Sequence, residues 1–134
     1  MATQRVTILK ANIKNRPGAL LKVMNELKAN NLGLTGLWGF STAGGKGELY
    51  LAAKNPAKVK ALLRKSKIFS SEMAVFSIRG KDRTGALNSA LGRLTRKGVN
   101  ILAIHAIAVG GKFGSYIWVD ARNVNKATRA LRGR

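Results

Sequence analysis

Cysteine is absent from the 134-residue chain, which excludes disulfides, thiolate metal sites and a cysteine nucleophile. Acidic residues number only five and histidine one. They are scattered, so neither a carboxylate pair nor a metal cluster can be drawn, and the sequence calls for no catalytic residue, metal or cofactor. No apolar run approaches the roughly 18 residues needed to span a bilayer. The opening MATQRVTILK also lacks the basic-then-apolar layout of a secretory signal. A cytoplasmic protein with no membrane partner is therefore expected.

Positive charge is abundant. Twenty-five Lys and Arg against five Asp and Glu give a net +20 at pH 7, which favours an anionic partner, either nucleic acid or a membrane surface. The hydrophobic fraction of 46% is that of a chain with a real core.

The chain is internally duplicated. KNRPGALLKVMNEL around Gly18 and KDRTGALNSALGRL around Gly85 share a skeleton at a spacing of 67 residues, half of the 134. At that spacing Lys14, Arg16, Gly18, Ala19, Leu20 and Leu27 match Lys81, Arg83, Gly85, Ala86, Leu87 and Leu94. Gly44 and Gly47 match Gly111 and Gly114. After about residue 54 the spacing becomes 68, pairing Leu63 with Leu131 and Arg64 with Arg132. Internal repetition of this kind decides the architecture before any local reading does.

Each copy reads as strand, helix, strand, strand, helix. Val6 to Ile13 alternates, with Leu9, Ala11 and Ile13 on one face. Pro17 suits a first helical turn, and Leu20, Val23, Met24 and Leu27 follow at helical spacing. Leu34 to Thr42 and Glu48 to Ala53 flank a glycine-rich hairpin turn, and Pro56 to Lys67 is a second helix. The second copy repeats the order with Met73–Gly80, Thr84–Lys97, Ile101–Val109, Ser115–Ala121 and Asn123–Arg132.

The expected fold is α+β: two ferredoxin-like βαββαβ-type modules in tandem, 1–71 and 72–134, with antiparallel sheets and helices on one face. The fourth strand of the second module is missing or shared. Either Ile68 to Ile78 forms one long strand serving both halves, or a partner chain completes the second sheet. An unpaired edge remains in both cases and favours a homodimer.

The repeated segments Asn15-Arg16-Pro17-Gly18-Ala19-Leu20 and Asp82-Arg83-Thr84-Gly85-Ala86-Leu87, each followed by a helix and then by Leu32-Gly33-Leu34 or Val99-Asn100-Ile101, resemble the ACT domain. The resemblance spans nearly the whole chain. It implies a regulatory module that binds an amino acid or similar effector and modulates a metabolic enzyme, with ligands at an interface between two such domains, against the loop before the first helix. The residues it designates are Asn15, Arg16, Gly18, Ala19, Leu20 and Gly33 in one copy and Asp82, Arg83, Gly85, Ala86, Leu87 and Asn100 in the other. A helix N-terminus offers free N–H groups and partial positive charge to a carboxylate, and a glycine lets a ligand approach the backbone. Each glycine could equally serve a tight turn alone.

The second copy, through Tyr116-Ile117-Trp118-Val119-Asp120 and Gly85-Ala86-Leu87, is similar to the regulatory ACT domain of prephenate dehydratases, which senses phenylalanine. The E-S-R-P segment of that family is replaced here by His105-Ala106-Ile107-Ala108 after Ile104, so phenylalanine is not supported as the ligand.

Two other readings compete. Lys112 to Trp118 and Val75-Phe76 approach the signatures of an RNA-recognition motif. However, Ser115 stands where a stacking aromatic is required, and alternation with Ser77 and Arg79 on the solvent face turns Phe76 toward the helices. A basic polyanion-binding protein on the same fold needs no motif and is the alternative function. His105 matches Trp38 in the duplicate and is expected on a strand. The glycine-rich Gly44–Gly47 and Gly110–Lys112 stretches read as hairpin turns rather than phosphate loops.

Overall fold

The computed structural model describes residues 2–132. In chain order it comprises β1 (Ala2–Lys14), α1 (Ala19–Ala29), β2 (Leu34–Thr42), β3 (Lys46–Ala53), α2 (Pro56–Lys65), β4 (Phe69–Lys81), α3 (Asn88–Arg96), β5 (Ile101–Val109), β6 (Lys112–Val119) and α4 (Val124–Leu131). A short 3-10 turn at Ala121–Asn123 precedes α4.

Two compact units emerge, and neither is an uninterrupted half of the chain. One is Thr7–Met73. The other runs from Ala74 onward and includes the chain's first residues as far as Val6. The strand order is β2-β3-β1-β4 in the first and β1-β4-β6-β5 in the second. Both 13-residue strands are therefore divided between units: β1 gives its opening residues to the second unit, and β4 gives Phe69 to Met73 to the first. The fourth strand of each βαββαβ module comes from the same chain, and no partner is required to complete it. A division at 71/72 would assign residues 1–6 to the first module.

Within the first unit β1 pairs antiparallel with β3, and β3 with β2. Leu9, Ala11, Leu49 and Leu51 pack against Val23 and Leu27 of α1 and Val59 and Leu63 of α2. The second unit repeats this with β4–β6 and β6–β5 pairs. There Phe76, Ile78, Phe113 and Ile117 meet Ala90 and Leu94 of α3 and Ala127 and Leu131 of α4.

Both first helices of the modules start later than the periodicity suggests. Gly18 lies at φ 87 and Gly85 at φ 76, a left-handed geometry that cannot continue a helix and that favours glycine. Pro17 therefore sits in a turn ahead of α1, and α3 begins at Asn88 rather than Thr84. Leu20, expected on the apolar stripe, is 42% exposed. Phe76 does face the helices, at 1% exposure, which removes the RNA-stacking platform. Ser77, expected in solvent, is buried. It pairs with Tyr116, and a small side chain on an inner strand is covered by larger neighbours. Arg79 is exposed as expected.

Candidate functional site

The two loops ahead of α1 and α3 share one backbone design. The Asn15 N–H donates to the Gly45 carbonyl at 2.8 Å and the Asp82 N–H to the Gly111 carbonyl at 3.0 Å, tying each loop to the tip of its hairpin. Ala19 N–H donates to Arg16 O, and Ala86 N–H to Arg83 O, at 3.2 and 3.1 Å. α1 then begins at Ala19, with Gly18 at its N-cap, no side-chain cap and no acidic residue in its first turn. Past the engaged Ala19 amide, its N-terminal amides thus keep their affinity for an anion.

In the first unit this loop faces a groove of about 390 Å³, with the loop and α1 on one side and β2 and β3 on the other. Asn15 and Arg16 line it from the loop, Ala19 and Leu20 from α1, and Leu37, Phe40 and Ser41 from β2. Lys14 and Arg16 supply positive charge, and Glu48 is the one carboxylate lining it. Glu48 is engaged: its Oε2 accepts the Tyr50 hydroxyl at 2.9 Å and lies 3.5 Å from Lys10 Nζ. Burial of the Tyr50 phenol, and then its hydrogen bond to Glu48 and the carboxylate charge, raise its pKa above the ordinary tyrosine value.

The second unit differs at one decisive position. The hairpin after β2 has three connecting residues, Thr42 pairing with Lys46, whereas that after β5 has two, Val109 pairing with Lys112. A gap-free spacing of 67 aligns Gly47 with Gly114. Strand pairing instead places Gly47 opposite Ile13, and Phe113 opposite Gly80, which is the duplicate of Ile13. Phe113 is thus the structural counterpart of Gly47. Its ring belongs to the core that also takes in Ala86 and Leu87, whereas Gly47 lines an open groove.

The designated residues therefore separate into groups. Asn15, Arg16, Ala19 and Leu20 come together at the groove, and Gly18 sets the turn beside it. Ala86 is buried and Leu87 half-buried in the second core, while Asp82, Arg83 and Gly85 are exposed on the loop. Gly33 and Asn100 follow the far ends of α1 and α3. Gly33 is held by a bond from Lys54 N–H at 3.1 Å, and neither residue joins its loop. Apart from the glycines of β2, nothing in the local sequence pattern points to the β2 contribution of Leu37, Phe40 and Ser41. The glycines at 36 and 39 hinted at close approach there, since a Cβ at Gly39 would meet Leu49 Cδ2 at 2.9 Å.

His105 lies on β5, edge-on to Trp118 with ring centroids 5.4 Å apart. Among the described residues no group of three or more His, Asp or Glu could hold a metal ion, and no helix is long and apolar enough to cross a membrane.

No protein-family model matches the sequence, and no curated protein matches it. Solved structures do resemble the chain. It is similar to protein BT0572 from Bacteroides thetaiotaomicron, with a TM-score of 0.84 and 24% identity, over 97% of this chain and 88% of that one. It is similar also to the ligand-free regulatory subunit of aspartate kinase from Thermus thermophilus, with a TM-score of 0.65 and 13% identity, over 98% and 93%. The aspartate kinase regulatory subunit from Thermus flavus matches with a TM-score of 0.58 and 16% identity, over 98% and 94%. At these identities the likeness is one of fold: the tandem α+β arrangement that the ACT resemblance implies.

Proposed function

We propose that this chain is a non-catalytic regulatory protein that binds a small carboxylate-bearing effector, an amino acid, in the groove of its first module. The observation that carries this reading is the groove itself. An uncapped helix N-terminus, Lys14 and Arg16 stand on one side of it, and Leu37 on the helix-facing side of β2 on the other. The cationic end suits a carboxylate and the apolar wall a side chain. The fold shared with proteins described as regulatory subunits of aspartate kinase supports a regulatory role. On this reading the effector shifts an equilibrium that a regulated enzyme senses, which requires different affinities for two states.

A homodimer completes the proposal. β5 ends the strand order of its unit, and residues 98–111 carry no Lys, Arg, Asp or Glu. Leu102, Ile104, Ile107 and Val109 are 61%, 42%, 68% and 68% exposed. An uncharged, apolar edge of this length is a template for pairing with another strand. In a chain of net +20, such a stretch is where two copies meet with least repulsion.

A thermal-shift screen over the amino acids tests the effector reading, since a ligand that binds the native state raises Tm with its concentration. We expect a concentration-dependent rise for at least one amino acid, lost in Arg16→Ala and in Gly47→Phe, whose ring would fill the groove. No rise for any amino acid, or a rise that both variants retain, would overturn it.

A further inference from the structure

The second unit carries a separate groove of about 490 Å³, lined by Arg5, Arg93 and Arg132 with Thr3, Gln4 and Thr128, over an apolar floor of Phe76 and Leu131. None of the chain's five acidic residues lines it. We propose that it is a site for the phosphate group of a small phosphorylated molecule.

The duplication supplies an internal control. At the spacing of 67, Arg93 corresponds to Glu26 and Arg5 to Glu72. At the spacing of 68, Arg132 corresponds to Arg64 and Thr128 to Lys60. In the first unit these positions hold two acids and two bases: Lys60 forms a salt bridge with Glu72, and Glu26 accepts a hydrogen bond from the Ser66 hydroxyl at 2.7 Å. Lys60 and Arg64 also lie 5.5 and 5.2 Å from the centre of the Phe69 ring. In the second unit both acids have become arginines, and Ala2 corresponds to Phe69. The same scaffold thus carries a balanced set of charges in one copy and an unbalanced cationic set in the other.

The chemistry favours phosphate. A guanidinium presents a planar fork that matches a phosphate bidentately, and the Thr3 hydroxyl adds a donor, whereas that of Thr128 already donates to the Val124 carbonyl at 2.8 Å. Arg93 is oriented, its Nη1 donating to the Leu131 carbonyl at 3.4 Å. The apolar floor accommodates the body of a small molecule, within the size range of small-ligand clefts. This site stands on residues of the second unit alone and does not depend on the effector groove of the first.

The test is titration of the full chain with inorganic phosphate and with phenyl phosphate at constant ionic strength, against sodium chloride, followed by backbone amide NMR shifts. The amides of Arg5, Arg93 and Thr128 should move, more strongly for phenyl phosphate, while those of Leu20 and Phe40 stay still. Arg5→Gln and Arg93→Gln should each weaken binding about tenfold, the worth of a charge-assisted contact. Arg5→Glu, which installs the acid of the first copy, should abolish it with Tm unchanged. Arg5 is exposed, so its variants read out binding even if Arg93→Gln compromises folding. Equal shifts with chloride, shifts centred elsewhere, or full affinity in Arg5→Gln would overturn the proposal. Binding of duplex DNA without binding of either small phosphate would also overturn it, in favour of a polyanion surface.

Discussion

The Tyr50 hydroxyl donates to Glu48 Oε2 at 2.9 Å, and Lys10 approaches the same oxygen at 3.5 Å. The phenol is stacked beside Trp38, with rings 6.3 Å apart and 6° from parallel.

This arrangement gives stability a pH dependence of definite sign. The folded pKa of Tyr50 is raised above 10.0 by burial, the bond to Glu48 and its charge. The folded state therefore holds the phenolic proton more tightly than the unfolded chain. The resulting stability is fully present below pH 10.0 and is lost as pH rises through the folded pKa. In urea unfolding measured from neutral pH to beyond that value, Tyr50→Phe should show a shallower loss than the parent. Parallel profiles would contradict the shift.

Phe113 and Gly47 should exchange the properties of their modules. Phe113→Ala removes a core ring that is 9% exposed and should cost about 3–5 kcal/mol in urea unfolding. Gly47→Phe should leave the fold intact. The one tight neighbour of a Cβ there is a side-chain atom, Ile13 Cγ1 at 3.3 Å, with the Phe40 and Ile13 carbonyl oxygens at ordinary contact, 3.6 and 3.7 Å, and Ile13 is only half-buried.

Gly18→Ala and Gly85→Ala test a backbone role. Both sites lie in the left-handed region, with nothing within 4 Å of a Cβ at Gly18. Each should lose about 1–2 kcal/mol by conformational strain alone, measured as a drop in denaturation midpoint. Effector affinity measured well below the new midpoint should change little in Gly18→Ala.

Ile107→Lys probes the β5 edge. Ile107 is 68% exposed, so the monomer should tolerate lysine, while a dimer paired through β5 would bring two new cations together. Sedimentation velocity should show a dimer for the parent and a monomer for the variant. A variant that remains a dimer would place the interface elsewhere.

Much of this was legible in the sequence because it depends on local pattern. Alternation at Leu9, Ala11 and Ile13, helical spacing at Val23 and Leu27, and paired glycines at the hairpins fixed the element order. Counting strands leaves the shared strand as one of two possibilities. What escaped depends on pairing between distant residues. A gap-free match of Gly47 to Gly114 is good as sequence, yet one residue fewer in the second hairpin sets Phe113 at that place, with its ring in the second core. The role of the β2 wall was hidden for the same reason: Leu37 comes to line the same groove as Arg16 only once β2 has paired with β3. Leu20 has the spacing of a core residue, but the left-handed Gly18 rotates the start of α1 so that this side chain faces outward.

The division of β1 and β4 between units also fixes what can be separated. A cut at the midpoint would leave each fragment holding a strand segment that belongs to the other's module and lacking one of its own. The two fragments should consequently be weak alone and recover structure when mixed, as halves of an interlaced pair. The second module, moreover, can close only by retrieving residues that lie on the far side of the entire first module in the chain. Its formation carries the slow, long-range search that the first module, nearly continuous in sequence, avoids.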